Sequence, residues 1–161
     1  MRIENLDSYA VISSPVGHLG LATRNEHLVL VEFLPSSSSL QMATSPLLQD
    51  AACQLDAYFQ DPLFVFNLPW ALSVTEHQKK VLDAIAAIPV GQLKTYADIS
   101  QCISSSPRAV GGACGRNPLP LLIPCHRVVA ATGLGGFNAG RNGVDWLPIK
   151  RWLLNHEGVE V

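Results

Sequence analysis

The stretch Asn117-Pro-Leu-Pro-Leu-Leu-Ile-Pro-Cys-His-Arg-Val-Val129 determines how the second half of the chain is interpreted. Its three prolines fix their own φ and disfavour helical geometry in the residues before them, so the approach to Cys125 is predicted to be extended and stiff. Stiffness suits an atom that must meet an electrophile at about 3 Å. The neighbouring His126 could draw the thiol proton, directly or through water, and leave the reactive thiolate.

A second interpretation treats Cys125 as a small buried apolar residue and His126 as a hydrogen-bonded filler, which is the commoner case for an isolated Cys-His pair. The other cysteines do not form a recognisable framework with it, because no CxxC spacing and no zinc-ligand spacing of Cys and His occurs. We therefore expect reduced thiols, no metal and no cofactor. The remaining cysteines are Cys53, Cys102 and Cys114.

Length and composition indicate a globular protein, since 161 residues with 48% hydrophobic content can bury a sizeable core. The polar start does not read as a secretory signal, and no apolar run reaches the ~18 residues of a membrane span. We expect no membrane association and a cytoplasmic location. The net charge of −2 is the sum of −5 over residues 1–75 and +3 over residues 76–161. The second half is thus the candidate for binding a polyanion, although +3 could equally be a solvated face.

The first 70 residues alternate with the period of strands and then contain one helical segment. A turn at 24–27 separates two strands, Ser45-Pro46 opens a helix, and Asp61-Pro62 ends it. Pro69-Trp70 begins a link to a second domain, so we predict domains at 1–70 and 75–161. The predicted strands are Tyr9–Ser14, Leu19–Thr23, Leu28–Leu34 and Leu63–Leu68, and the predicted buried helical face is Leu47, Ala51, Leu55 and Tyr58.

Three helices are predicted next. Thr75 with Gln78 is a capping-box pattern before an apolar stripe of Val81, Ile85 and Ile88. Thr95 with Asp98 repeats the capping pattern before a helix at about 96–103, and Pro107 occupies the first position of a third helix that continues to about Gly115. Helix, short turn, helix is the outline of a helix-turn-helix.

The third helix is unusual because Gly111 and Gly112 lie inside it, at a cost of roughly 1 kcal/mol each relative to alanine. Small residues between Arg108 and Arg116 would let such a helix press into a narrow groove lined with phosphates, such as the DNA minor groove. Tight helix packing inside the protein explains the glycines equally well.

After Cys125 we predict a strand over Val128–Ala131, a glycine-rich turn, and a last helix that begins at Pro148 and ends at Gly158. Its predicted buried face is Ile149, Trp152 and Leu153. Glu157 lies in the final turn, where the helix dipole disfavours an acid by a few tenths of a kcal/mol. A histidine that must stay oriented would be a natural partner, and an ordinary solvated glutamate is the alternative.

Four motifs together resemble the O6-alkylguanine-DNA alkyltransferases, the methylated-DNA–protein-cysteine methyltransferases: Arg108-Ala-Val-Gly-Gly, Asn117-Pro, Ile123-Pro-Cys-His-Arg-Val-Val129 and Lys150-Arg-Trp-Leu-Leu-Asn-His-Glu-Gly158. The match covers roughly residues 75–158. It implies a small ribonuclease-H-like α/β domain, then a mostly α domain with a winged helix-turn-helix. It also implies a monomer whose partner is double-stranded DNA that carries alkylated guanine, bound through the minor groove.

The resemblance also implies roles for individual residues. Cys125 is similar to the acceptor that takes the alkyl group of O6-alkylguanine, and of O4-alkylthymine, once per molecule, since a thioether has no easy hydrolytic exit. His126 resembles the base that draws the thiol proton through water, and Glu157 the acid that orients this base. Asn117 matches the residue that braces the segment before the nucleophile, and Tyr96 the donor to the leaving guanine.

DNA contacts and a substrate pocket are implied in the same way. Arg108 is similar to the arginine that fills the gap left by a flipped base. The other implied DNA contacts are Thr95, Ala109, Gly111, Gly112 and Arg116, and the implied pocket residues are Pro120, Val128, Phe137, Asn138 and Lys150. The family runs from its pocket glycines to the lysine within a few residues, whereas here residues 141–149 intervene. Trp146 and Leu147 in this insertion could fold over the site or pack beneath the last helix.

Two other functions fit part of the pattern. Alkyltransferase-like proteins bind damaged DNA without chemistry, but they replace the acceptor cysteine, and Cys125 argues against this class. A Cys-His hydrolase would use the same pair of side chains, but no substrate cleft can be recognised for it in the sequence.

Overall fold

The structure is a computed structural model that describes residues 6–135 and 141–161, without the side chain of Arg141. The chain forms two compact units: Met1–Ser73 with Asn142–Val144, and Val74–Arg141 with Asp145–Val161. Within the described part of the chain, no helix combines the length and the apolarity that crossing a membrane requires.

The first unit contains an antiparallel sheet of three strands in the order β1-β2-β3. These strands are β1 (Ser8–Ser14), β2 (Gly17–Arg24) and β3 (His27–Leu34). The predicted turn at 24–27 and the three predicted strands are confirmed within two residues at each end. Gly20 in the central strand is required, because a Cβ there would lie 2.6 Å from the Tyr9 hydroxyl, which donates to Glu32 at 3.0 Å.

Helix α1 (Pro46–Gln60) packs on this sheet and begins as predicted, with the Ser45 side chain accepting from the Leu48 backbone N–H. Asp61 is its C-cap. One residue of the predicted face is wrong, since Leu48 and not Leu47 is buried. Leu47 and Leu48 precede Ala51 by four and three positions, so both border the face of Ala51 and Leu55, and only the structure shows that Leu48 is the buried one.

The predicted strand Leu63–Leu68 does not form, and this part of the chain is irregular. Side chains of α1 take the place of a neighbouring strand: Gln54 accepts from the Asn67 N–H at 2.8 Å and donates to the Asn67 carbonyl at 3.0 Å. Phe66 lies 5.6 Å from the Tyr58 ring. The alternating pattern therefore arose from packing against a helix, which periodicity alone cannot distinguish from packing in a sheet.

The second unit begins with three helices, α2 (Glu76–Ala86), α3 (Tyr96–Ile103) and α4 (Pro107–Gly115), close to the predicted bounds. The capping box at Thr95 and Asp98 is complete. The one predicted at Thr75 forms only in half, because the Gln78 side chain donates instead to the Arg116 carbonyl at 2.9 Å. That bond fixes the start of α2 against the end of α4.

The remaining elements surround the Cys-His-Arg stretch. Strand β4 (Lys94–Thr95) pairs in parallel with β5 (Val128–Val129), which is shorter than the predicted strand Val128–Ala131. Cys125–Arg127 form one turn of 3-10 helix immediately before β5. Helix α5 (Trp146–His156) has Glu157 as its C-cap, and the predicted stop residue Gly158 follows with a φ of +89°.

The start and the buried face of α5 differ from the prediction. The helix begins at Trp146, capped by Asp145, so that Pro148 lies in the first turn, where its missing N–H has no helical partner to lose. Trp146 is fully buried, whereas Trp152 is only half-buried and stacks on His156. Trp146 is itself part of the last helix and is buried, whereas Leu147 is exposed, so neither alternative for the insertion holds for both residues as stated.

The corrected face of α1 can be tested with two adjacent leucines. We expect Leu48→Ala to lower the free energy of unfolding by about 2–5 kcal/mol, because it leaves a cavity in the core. Leu47→Ala, the matched control, should cost under about 1 kcal/mol since the side chain is partly exposed. Urea unfolding followed by circular dichroism measures both, and equal losses would contradict the assignment.

Candidate active site and DNA-binding surface

The Cys125 side chain is buried, and the backbone that leads to it is held at several points. The Cys125 N–H donates to the Ile123 carbonyl at 2.8 Å around Pro124, whose φ of −80° and ψ of 66° make an inverse γ-turn. Asn117 is fully buried, donates from Nδ2 to the same carbonyl at 2.9 Å, and accepts from the Leu119 N–H at 2.9 Å. The sequence-predicted brace thus contacts both ends of the approach.

Two buried residues next to the nucleophile candidate form a pair. His126 Nε2 lies 2.9 Å from Glu157 Oε2, and both side chains are at most 1% exposed. A carboxylate can only accept, so the ring proton is on Nε2 and the neutral imidazole keeps its lone pair on Nδ1. Glu157 therefore selects the tautomer in which Nδ1 can act as a base. This contact is the one expected for Glu157 if its partner is a histidine that must stay oriented.

Arg127 completes this network, although no feature of the sequence analysis singled it out. Its Nε donates to Glu157 Oε1 at 2.8 Å and its Nη2 to Oε2 at 2.9 Å, a bidentate pair. Its Nη1 donates to the Ile88 carbonyl, just after α2, at 2.6 Å. The signal that could have identified it was its position directly after Cys125 and His126. A charged residue at such a buried turn needs a partner of opposite charge, which here is Glu157.

Burial lowers the pKa of His126 below its usual range, and the Glu157 hydrogen bond and charge oppose that shift. The positive charges of Arg127 and Lys150 lower the pKa further. Burial is the largest of these causes, and the imidazole is accordingly neutral near pH 7.

Lys150 is fully buried and donates from Nζ to the Val128 carbonyl at 2.6 Å. Burial lowers its pKa to about 8, against the raising effect of Cys125 and Cys114. Burial also raises the pKa of Cys114 to about 12, so this thiol stays protonated near neutral pH. Lys150, Cys114 and Cys125 thus lie close enough to influence one another's charge. Cys114 was not among the predicted site residues.

Tyr96 begins α3 directly after the cap Thr95, and its ring lies 5.8 Å from Lys150 Nζ. Burial, followed by the two nearby thiols, raises the pKa of its hydroxyl, which therefore remains a proton donor. Gly135 packs against the ring, where a Cβ would lie 3.0 Å from Tyr96 Cε2 and 2.9 Å from the Ala130 nitrogen. Its φ of +84° adds a second reason for glycine, and sequence reasoning had not identified this position.

The predicted pocket is described only in part. Pro120 and Val128 are buried near the Cys125 segment. Phe137 and Asn138 lie outside the described residues. In the described ranges, no group of three or more His, Cys, Asp and Glu residues could hold a metal ion.

The predicted DNA-contacting residues of α4 share its outer face. Arg108 and Arg116 are exposed, and Ala109, Gly111 and Gly112 are half-exposed between them. The opposite face is buried and consists of Val110, Ala113, Cys114 and Gly115. Thr95 is the N-cap of the preceding helix and accepts from the Asp98 N–H at 3.0 Å.

Packing within the described residues does not explain the two glycines of the outer face. A Cβ on Gly111 would meet only the Tyr96 ring at 4.0 Å, an ordinary contact. A Cβ on Gly112 would meet the end of the flexible Arg116 side chain at 3.3 Å. The helix bears the cost of two glycines, and its outer face is left flat and flanked by two arginines.

Fold and site define a class of protein in which a helical unit holds a buried cysteine beside a histidine–glutamate pair. Residues 76–159 match the family described as 6-O-methylguanine DNA methyltransferase, DNA binding domain, and residues 8–72 match its ribonuclease-like domain. The chain belongs to this family. The predicted family is thereby confirmed, and so is the predicted order of the domains, with a sheet-containing domain first and a helical domain second.

Individual relatives match over nearly their whole length. The chain is 37% identical over 158 residues to the methylated-DNA–protein-cysteine methyltransferase of Methanosarcina acetivorans, covering 93% of this chain and 97% of the relative. It is 33% identical over 153 residues to that of Sulfolobus acidocaldarius, with 95% and 94% covered. The crystal structure of Mycobacterium tuberculosis OGT in complex with DNA superposes with a TM-score of 0.78 at 33% identity, covering 93% and 92%.

The buried amine of Lys150 should make stability depend on pH. Its folded pKa of about 8 lies below the ordinary 10.5, so the folded state binds fewer protons between these values and wild-type stability rises with pH there. Relative to Lys150→Met, the wild type should gain about 1–3 kcal/mol from pH 8 to 10.5. Urea unfolding of both proteins across this range measures the difference. A constant difference would show that Lys150 titrates normally.

Proposed function

We propose that this protein repairs O6-alkylguanine in double-stranded DNA by transferring the alkyl group to Cys125 Sγ, once per molecule. The observation that carries the proposal is the buried Cys125 in one turn with His126, whose Nε2 is held by Glu157. The names of the relatives, methylated-DNA–protein-cysteine methyltransferases, support the same chemistry. Transfer from O4-alkylthymine stays a prediction of the family resemblance.

The displacement balances without a cofactor. His126 Nδ1 takes the thiol proton through a water, and the thiolate attacks the alkyl carbon as the bond from that carbon to O6 breaks. The electron pair of that bond forms the guanine carbonyl and moves into the ring, where the Tyr96 hydroxyl donates to the developing charge. The ring nitrogen then takes a proton from solvent, and His126 returns its proton to solvent. The product is a thioether, and nothing in the proposed site would hydrolyse it.

Residues 75–161 are proposed to carry both the DNA-binding surface and the acceptor, with residues 1–70 as a separate domain. Within the former, α3 and α4 would form the helix-turn-helix of a winged motif, and α4 would enter the minor groove with its flat face. Arg108 would fill the gap left by the flipped guanine, and Arg116 would contact phosphate. The DNA complex of the Mycobacterium tuberculosis relative supports a DNA partner. A monomer suffices for this arrangement.

The central test separates chemistry from binding. Cys125→Ala should abolish transfer from a duplex oligonucleotide that contains one O6-methylguanine, because the thiol supplies the new bond. Duplex affinity should change less than about threefold, since contacts to phosphate supply most of the binding. Intact-protein mass spectrometry, with a gain of one methyl group located by peptide mapping, measures transfer.

Cys114→Ala is the matched control, because this second buried thiol stays protonated and should be dispensable for transfer. Binding of damaged duplex by the wild type without any mass change would favour the non-catalytic DNA-binding class. Methylation of Cys114, or loss of DNA binding together with transfer in Cys125→Ala, would overturn the assignment of Cys125 as acceptor.

The flat face of α4 gives a second test. Gly111→Ala should leave the free energy of unfolding unchanged or raise it by up to about 1 kcal/mol, because alanine favours helix and the added methyl makes only an ordinary contact. Affinity for duplex DNA should fall at least about tenfold, since the methyl group holds the helix away from the groove. Reaction with free O6-benzylguanine, which needs no groove, is the internal control. A loss of stability would instead favour packing inside the protein.

A further inference from the structure

Arg127 connects the nucleophile's turn with the residues that follow α2 and α5. It reaches Glu157 with two nitrogens, at 2.8 and 2.9 Å, and the Ile88 carbonyl with the third, at 2.6 Å. Each of the three guanidinium nitrogens therefore donates one hydrogen bond to a group of the second unit. A lysine could not satisfy them together, because its ammonium has no planar fork.

The Glu157 carboxylate is shared between two partners. Oε1 accepts from Arg127, and Oε2 accepts from both Arg127 and His126. With its side chain fully buried, this carboxylate would be costly as an isolated ion, and its charge could be satisfied in two ways. Either a cationic partner balances it, or the His126–Glu157 pair takes up an extra proton.

We propose that Arg127 is a positioning residue for alkyl transfer: it balances the charge of Glu157, so that the His126–Glu157 pair does not hold an extra proton and His126 is neutral when it takes the proton of Cys125. This inference rests on the proposed function. It adds that the base is set by a third residue, which acts through Glu157.

The groups that face His126 come from two elements. Glu157 and Lys150 belong to α5, and Arg127 belongs to the same 3-10 turn as His126. The charge of Glu157 raises the pKa of His126, whereas those of Arg127 and Lys150 lower it. Removing Arg127 takes away one of the two positive charges that lower the pKa of His126, while the Glu157 charge that raises it stays. The His126–Glu157 pair should therefore gain a proton at a higher pH than in the wild type.

The test uses Arg127→Gln, which keeps an amide donor but removes the charge, and Arg127→Lys, which keeps the charge but not the fork. Methyl transfer from an O6-methylguanine duplex is followed from pH 5.5 to 9. At pH 6 Arg127→Gln should be at least about tenfold slower than the wild type, and at pH 9 less than about threefold slower, because one unit of pKa is a factor of ten in the neutral fraction. Arg127→Lys should restore most of the rate at pH 6.

A merely structural role would slow transfer by the same factor at every pH, and that result would overturn the proposal. Lys150 is unchanged in the variants, so its titration affects the wild type and the variants alike and cancels when their rates are compared. Duplex affinity, measured in parallel at each pH, should be unchanged, and a loss of affinity that tracks the loss of rate would also overturn it.

Nitrogen-15 NMR of the His126 ring provides a readout that does not depend on transfer. The wild type should show a neutral ring with its proton on Nε2 at pH 7, and the Arg127→Gln pair should titrate at a higher pH. A wild-type imidazolium that persists to pH 8 would overturn the proposal even if the variant did not fold. Should the wild type transfer no methyl group at any pH, the proposed function fails, while this titration still decides the effect of Arg127.

Discussion

The buried carboxylate of Glu157 is the group on which the second unit depends. A single charge removed from water destabilises a fold by several kcal/mol unless donors replace its hydration. Three donors do so here, one from His126 and two from Arg127, and they join the end of α5 to the turn that carries Cys125. The bond from Arg127 to the Ile88 carbonyl adds the end of α2. The network that orients His126 is therefore also a network that joins three elements of the unit.

The outer face of α4 differs from this network, because no close packing among the described residues requires its glycines. Gly111 and Gly112 have open or adaptable surroundings among the described residues, so packing does not explain their cost in helix propensity. Their neighbours on the inner face, Val110 and Ala113, are fully buried. One helix thus combines a buried inner face with an outer face whose two glycines are not explained by packing among the described residues.

Periodicity and capping chemistry predicted most of the elements, since Ser45, Thr95 and Pro107 mark helix starts by local hydrogen bonding or fixed φ. The failures have physical causes. Leu63–Leu68 alternates because it packs beside α1, and α5 begins before Pro148 because a proline in the first turn loses no bond. For the site, adjacency placed Cys125 and His126 in one turn. The contacts of Arg127 and Gly135 depend on tertiary geometry, which no local pattern contains.

The order Cys-His-Arg has a geometric consequence. A 3-10 helix has three residues per turn, so consecutive side chains point about 120° apart, and residues 125–127 form such a turn. Cys125, His126 and Arg127 therefore leave the turn in different directions, and the longer side chains of His126 and Arg127 converge only at the Glu157 carboxylate. Glu157, from another element, connects the second and third of these directions. The imidazole of His126 is thereby fixed by its carboxylate independently of the direction that the Cys125 side chain takes.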